Sequence, residues 1–171
     1  MAEHILFKIN GPVPGIEIPF TGKPIVKINH PDFHGALYQQ VYSFIDQSEC
    51  LRDSNGNPSN SLQHPIELYK DVDIDTPFFK ACCLHKSLIP KITFYFFHTL
   101  KGDQHHINFL TIDLDETLIL NSTIILYDNS ISGSKKDNPY MEKLILNPQK
   151  ITWNFKRGAP MEADHGITYP S

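Results

Sequence analysis

Two carboxylates, Asp113 and Asp115, stand two residues apart in Leu110-Thr111-Ile112-Asp113-Leu114-Asp115-Glu116-Thr117-Leu118. An aspartate so placed can attack phosphorus, its neighbour can protonate a leaving group, and both can help to hold Mg²⁺. A strand of a parallel α/β sheet is the setting that would favour this reading. The chain ahead of Asp113 shows no strand–helix alternation, and the chain after Leu118 reads as β. The expectation is a strand end and turn that carries acids.

Other groups invite similar readings and fail similar tests. Asp71, Asp73 and Asp75 alternate, but a calcium loop needs more oxygen ligands and a glycine at its sharp turn. They fit a charged approach to a helix, with acid near its positive end. His105 and His106 point to opposite faces of a strand. His30 and His34 are four apart, but Pro31 and Gly35 spoil the helix that would align them. No CxxC, HExxH, GxSxG or glycine-rich phosphate loop is present. Trp153 reads as a packed strand aromatic. No catalytic, cofactor-binding or metal residue is expected.

The elements that would position such residues are mostly strands. His4–Ile9 alternates apolar and polar residues and ends at Asn10-Gly11. Lys23–Asn29, Ala36–Ile45 and Ile66–Tyr69 follow as β-rich runs. Thr76 offers a cap, Pro77 suits the first helical position, and Phe78, Phe79, Ala81, Cys82 and Leu84 supply an apolar side. One short helix is therefore expected over about residues 76–86, closed by Pro90. Strands are expected again over Lys91–Leu100, His105–Leu114, Thr117–Tyr127, Met141–Leu146 and Lys150–Phe155. Lys101-Gly102-Asp103 suits a hairpin turn, and Asp128–Asn138 reads as a polar loop. Pro148 predicts a bulge or an edge. The tail from Gly158 reads as irregular.

Asp46–Leu62 differs in composition. Its stretch Asp53-Ser54-Asn55-Gly56-Asn57-Pro58-Ser59-Asn60-Ser61 reads as an irregular loop, long enough to suggest a role.

With 171 residues, 40% hydrophobic, one domain with its own core is expected over residues 1–171, with the extended loop at about 46–62. A net charge of −4 without a basic tract argues against nucleic acid and anionic membranes as partners. Pairs such as Lys135-Lys136 and Lys156-Arg157 fit solvated loops. Three cysteines, two of them adjacent, fit a reducing compartment better than a disulfide framework. The first residues lack a basic segment followed by a long apolar one, so no cleavable signal peptide is expected. No apolar run is long enough to span a bilayer. The fold class expected is mainly β, a barrel or sandwich with one helix.

Two blocks then resemble a known family. The first is Pro65-Ile66-Glu67-Leu68-Tyr69-Lys70-Asp71-Val72-Asp73-Ile74-Asp75-Thr76-Pro77-Phe78-Phe79-Lys80-Ala81. The second is Tyr140-Met141-Glu142-Lys143-Leu144-Ile145-Leu146-Asn147-Pro148-Gln149-Lys150-Ile151-Thr152-Trp153. In order and spacing they are similar to the haemolysin-coregulated protein family, Hcp: Pro65, Lys70, Asp73 and Pro77 fall in register, and the family's closing strand often ends Lys-Ile-Thr-Trp. Asn60, Ser61 and Gln63 stand where the family commonly has Gly-x-Arg-x-His, and Gly11–Phe33 matches poorly. The resemblance implies a β-barrel of two antiparallel sheets with one helix. It implies a structural protein of the bacterial type VI secretion system, not an enzyme. Six copies would form a ring, and rings would stack into a tube. Its partners would be a contractile sheath, a tip protein and small effectors. The protein would fold in the cytoplasm and leave without a cleavable signal. Asp46, Arg52, Asp53, Asn55, Asn57 and Asn60 are the candidate ring-stacking residues. Two alternatives are a barrel enclosing a small apolar ligand and, from the string at Asp113, similarity to haloacid-dehalogenase-type phosphatases.

Overall fold

The structure is a computed structural model that describes residues 4–24, 28–33, 36–99, 105–126, 140–156 and, as backbone, 157 and 161–168. The elements run β1 (His4–Ile9), β2 (Lys23–Pro24), β3 (Leu37–Ile45), β4 (Ser48–Arg52), β5 (Pro58–Gln63), β6 (Ile66–Asp71), α1 (Thr76–His85), β7 (Ile89–Thr99), β8 (His106–Leu126), β9 (Tyr140–Arg157) and β10 (Met161–Thr168). The expected turn at Lys101-Gly102-Asp103 and the loop Asp128–Asn138 lie outside the described residues. So does the middle of the expected strand Lys23–Asn29.

Hydrogen bonding joins β1, β7, β8, β9, β6 and β3 in that order, and β3 then pairs with β1. The result is a closed six-stranded barrel in which every pairing is antiparallel. Closure removes the free edges that an open sheet would expose. β4 and β5 form a separate two-stranded sheet.

The alternation within β1 explains why the barrel has apolar groups on both sides. Phe7 points inward and joins Val41, Leu68, Phe94, Leu114 and Leu144. Leu6 points outward and packs with Ile28, Phe33, Tyr38 and Phe97, so the segment around Phe33 covers one end of the outer surface. Fully buried side chains of these types stabilise a fold by about 1.5–3 kcal/mol each.

The helix ends one residue before the expected bound. Lys86 takes a left-handed conformation, φ 53°, and its amide donates to the carbonyls of Cys82 and Cys83. Phe78, Phe79 and Cys82 are buried, but Leu84 is 78% exposed and does not belong to the core-facing side. Burial pushes the Cys82 thiol up to about 11. Pro90 lies inside β7 rather than before it.

Two expected breaks are absorbed without leaving the sheet. Asp115 and Thr117 belong to one strand of 21 residues, with Glu116 left-handed at φ 49°. Pro148 belongs to one strand of 18 residues. β9 pairs β6 over Met141–Leu146 and β10 over Lys150–Arg157, so Pro148 falls between these two pairings. That is a local edge, where a missing amide donor costs least. The tail is likewise not irregular, because β10 pairs with β9 from Met161 to Thr168.

Candidate assembly surface

The segment read as an irregular loop is a β-hairpin. Ser48 pairs with Gln63, Glu49 with Leu62, Cys50 with Ser61 and Arg52 with Pro58. Asparagine, serine and proline hide this pairing from a composition-based reading, although Asn55-Gly56 is a turn signal between the strands. All of β4, and all of β5 except Gln63, is exposed.

Side chains fix the hairpin at both ends. At its base the Asp46 carboxylate accepts from Trp153 Nε1 at 2.8 Å and from Gln63 Nε2 at 2.6 Å. Ser48 Oγ donates to Gln63, and the His64 amide donates to the Gln47 carbonyl at 2.9 Å. His64 Nε2 lies 3.1 Å from Glu49. At the tip the Asp53 carboxylate accepts the amides of Asn55 and Asn57, both at 2.9 Å. The Asn57 amide is the main reason that its carboxyl lies below the usual range. Gly56 supplies the left-handed turn residue at φ 80°.

The six candidate residues therefore divide. Arg52, Asn55, Asn57 and Asn60 are exposed along the hairpin; Arg52 Nη1 donates to the Gly56 carbonyl at 3.4 Å, and the Asn60 amide to Ser59 Oγ at 2.6 Å. Asp53 is exposed but organises the turn. Asp46 anchors the base through Trp153. Residue types alone missed Trp153, because its partner is 107 positions away. They also missed Leu51 and Leu62, which are 40% and 44% exposed.

The block Pro65–Ala81 folds into a buried polar knot. Lys70 is fully buried, with its ammonium 3.0 Å from Asp73, 3.0 Å from Glu142 and 2.7 Å from the Asp71 carbonyl. Its Nζ also lies 5.2 Å from the centre of the Phe79 ring. Glu142 accepts from Thr76 at 2.9 Å and from Ser122 at 2.7 Å. Lys23 reaches Asp73 from outside at 3.2 Å. Burial pushes the Asp73 carboxyl up. The charge of Lys70, hydrogen bonds from Lys70 and the Asp75 amide, and Lys23 outweigh that and hold it below its ordinary value.

Asp75 precedes the helix but does not cap it with its side chain. Its carboxylate instead accepts the amides of Thr21 and Gly22 at 2.7 Å and the Gln39 amide group. Gly22 is left-handed at φ 69°, and a Cβ there would lie 2.9 Å from the Leu37 carbonyl carbon. Thr76 is not a cap either; its hydroxyl accepts the Asp73 amide at 3.0 Å. Asp73 and Asp75 thus bind the helix start to β2, β3 and β6, and Thr76 binds it to β9 through Glu142.

Asp113 and Asp115 lie within antiparallel β8, paired with β7 and β9. The Asp113 carboxylate accepts from Thr93 at 2.7 Å and lies 3.3 Å from Lys91. This is not the parallel α/β setting that would favour the phosphatase reading.

No protein-family model matches the chain, and no curated protein matches it. Solved structures do match. An Hcp protein superposes with a TM-score of 0.79 at 15% identity, covering 99% of each chain. The secreted protein Hcp3 from Pseudomonas aeruginosa gives 0.68 at 13%, covering 98% of this chain and 99% of that one. A type VI secretion system effector from Yersinia pestis gives 0.65 at 13%, covering 96% and 99%. Each match spans nearly the whole of both chains, and the fold of this chain is therefore that of the Hcp proteins.

Proposed function

We propose that this chain is the ring-forming protomer of a type VI secretion tube. The observation that carries this reading is the near-complete superposition, end to end, on an Hcp protein. Six copies close into a ring, rings stack into the inner tube, and the tube is exported with small effectors in its lumen. The contractile sheath and the tip protein are its partners in the machine. The role is structural rather than catalytic.

The hairpin supports the stacking step. A two-stranded hairpin alone is marginal in water, and this one is exposed along nearly its whole length. A surface on a second copy would cover Leu51 and Leu62 and make the arm part of a larger sheet or groove. Asp46 and Trp153 hold it at a fixed angle for that contact. Unlike surfaces at the two ends of a protomer give a heterologous interface, which can propagate along an axis.

The ligand-barrel alternative fares worse. Phe7, Leu68, Phe94, Leu114 and Leu144 fill the interior, each 0–1% exposed, in place of a ligand chamber.

Electron microscopy of the purified chain tests the proposal. Averaged images should show rings with a central hole and six-fold symmetry, some stacked side-on. Compact particles without a hole at every protein concentration would overturn it.

A further inference from the structure

The segment between β1 and β2 shelters an apolar hollow of about 350 Å³. Val13, Ile16, Ile18 and Phe20 of that segment line it, with Ile9 of β1 and Phe78 of α1. Its floor is built of packed rings: the Phe20 centre lies 6.2 Å from that of Phe7, 5.8 Å from Phe78 and 6.1 Å from Phe79. The segment is tied down along its length. The Asn10 amide donates to the Lys91 carbonyl at 3.0 Å and the Ile16 amide to the Val13 carbonyl at 3.2 Å. Asp75 accepts the amides of Thr21 and Gly22. Ile18, 41% exposed, and Glu17, also exposed, stand at the opening. The volume lies at the small end of ligand pockets, which run from about 300 to 1,000 Å³. It suits an inserted side chain better than a cofactor.

The hollow and the β4–β5 hairpin lie at opposite ends of the barrel. β3 runs antiparallel to β1, with Val41 against Ile5, so it leaves at Ile45 beside the start of β1 and enters the hairpin there. β1 leaves at Ile9, at the other end, into the segment that lines the hollow. β6 is antiparallel to β3 and delivers α1 to that same end. A copy set on another along the barrel axis therefore brings a hairpin to a hollow. Such an interface joins unlike surfaces and repeats without closing.

The two surfaces match in chemistry. Leu51 and Leu62 are exposed on the hairpin, and Ile16, Ile18 and Phe20 offer them an apolar seat. Arg52, next to Leu51, donates to the Gly56 carbonyl at 3.4 Å. Among the described residues, neither Arg52 nor Glu17 forms an ion pair. Leu51 in the hollow of a second copy sets the adjacent guanidinium, on its flexible stem, beside the Glu17 carboxylate. That is a charge-assisted pair at the rim of an apolar contact.

On the ring-stacking reading of the hairpin, we propose that this hollow receives the hairpin of a second copy: Leu51 enters it, and Arg52 pairs with Glu17.

Charge reversal in the full chain tests it. Glu17→Arg or Arg52→Glu alone places like charges together and should raise the protein concentration at which stacks appear in electron micrographs by about tenfold. The double variant, Glu17→Arg with Arg52→Glu, should stack as the wild type does. Light scattering should give the same ring mass for every variant, and circular dichroism melts should show that all fold. A second measurement does not depend on charge. Leu51→Cys and Ile18→Cys, each combined with Cys50→Ser, should form a disulfide-linked dimer only when the two chains are mixed. Three results would overturn the inference and leave the ring intact: equal stacking by all variants, a double variant that does not regain stacking, or crosslinking of the Leu51→Cys chain with itself alone. Particles of single-chain mass would overturn the ring reading and this inference with it.

Discussion

The polar knot around Lys70 and the hairpin from Ser48 to Gln63 are close in sequence and opposite in physical character. In the knot, Lys70, Asp75 and Glu142 are all 0% exposed, and each charge has partners from several elements. In the hairpin nearly every side chain meets solvent, and the side-chain bonds that tie one strand to the other or to the barrel sit at base and tip. The knot is completed by its own chain. The hairpin presents a surface that its own chain does not cover. The comparison separates residues that specify the fold from residues left exposed, which the proposed stacking would use.

The largest effect should come from emptying the knot. Lys70→Met leaves Glu142 buried without its cation and Asp73 with Lys23 alone, and removing one partner of such a buried pair costs about 3–5 kcal/mol. Urea unfolding should show the loss as a lower midpoint. An unchanged midpoint would mean that the knot does not hold the helix start.

The pH response should be smaller, with the buried Asp73 as its main source beside the more exposed Asp53 and Glu67, which are also held low. The folded Asp73 carboxyl is held below its ordinary value of 3.8. Its contribution to stability is therefore present above the unfolded value and is lost as pH falls through the folded one. Melting temperatures from pH 7 downward should hold until about pH 4 and then fall. Asp73→Asn should flatten that decline. An equally steep decline in the variant would assign it to other carboxyls.

The smallest effect on stability should come from the hairpin. Leu51→Ser with Leu62→Ser removes exposed apolar groups and should change unfolding free energy by no more than about 0.5 kcal/mol at each site. Stacked assemblies seen by electron microscopy should nevertheless shorten. A large drop in melting temperature would show that these leucines pack within the protomer, which would blur the contrast.

Legibility in the sequence follows the same division. β1 could be bounded at His4 and Ile9 because its alternation stops at a turn signal. The helix could be placed because Pro77 and the buried Phe78, Phe79 and Cys82 act locally. Lys70, Asp73 and Pro77 were legible as a motif, though not as a buried ion network, because Glu142 joins them from β9. The hairpin was read as a loop because its strands are Ser- and Asn-rich and its anchor, Trp153, is remote in sequence. Glu116 and Pro148 were read as breaks because their position between neighbouring strands is a tertiary fact. Exposed pairing and distant anchors leave little local trace in residue type.

The account rests on self-association of one barrel, and the mass of the particle in solution tests this most directly. Light scattering on a size-exclusion column should give six times the chain mass of 19.5 kDa, with larger species as concentration rises. A single-chain mass across the whole accessible concentration range would contradict it.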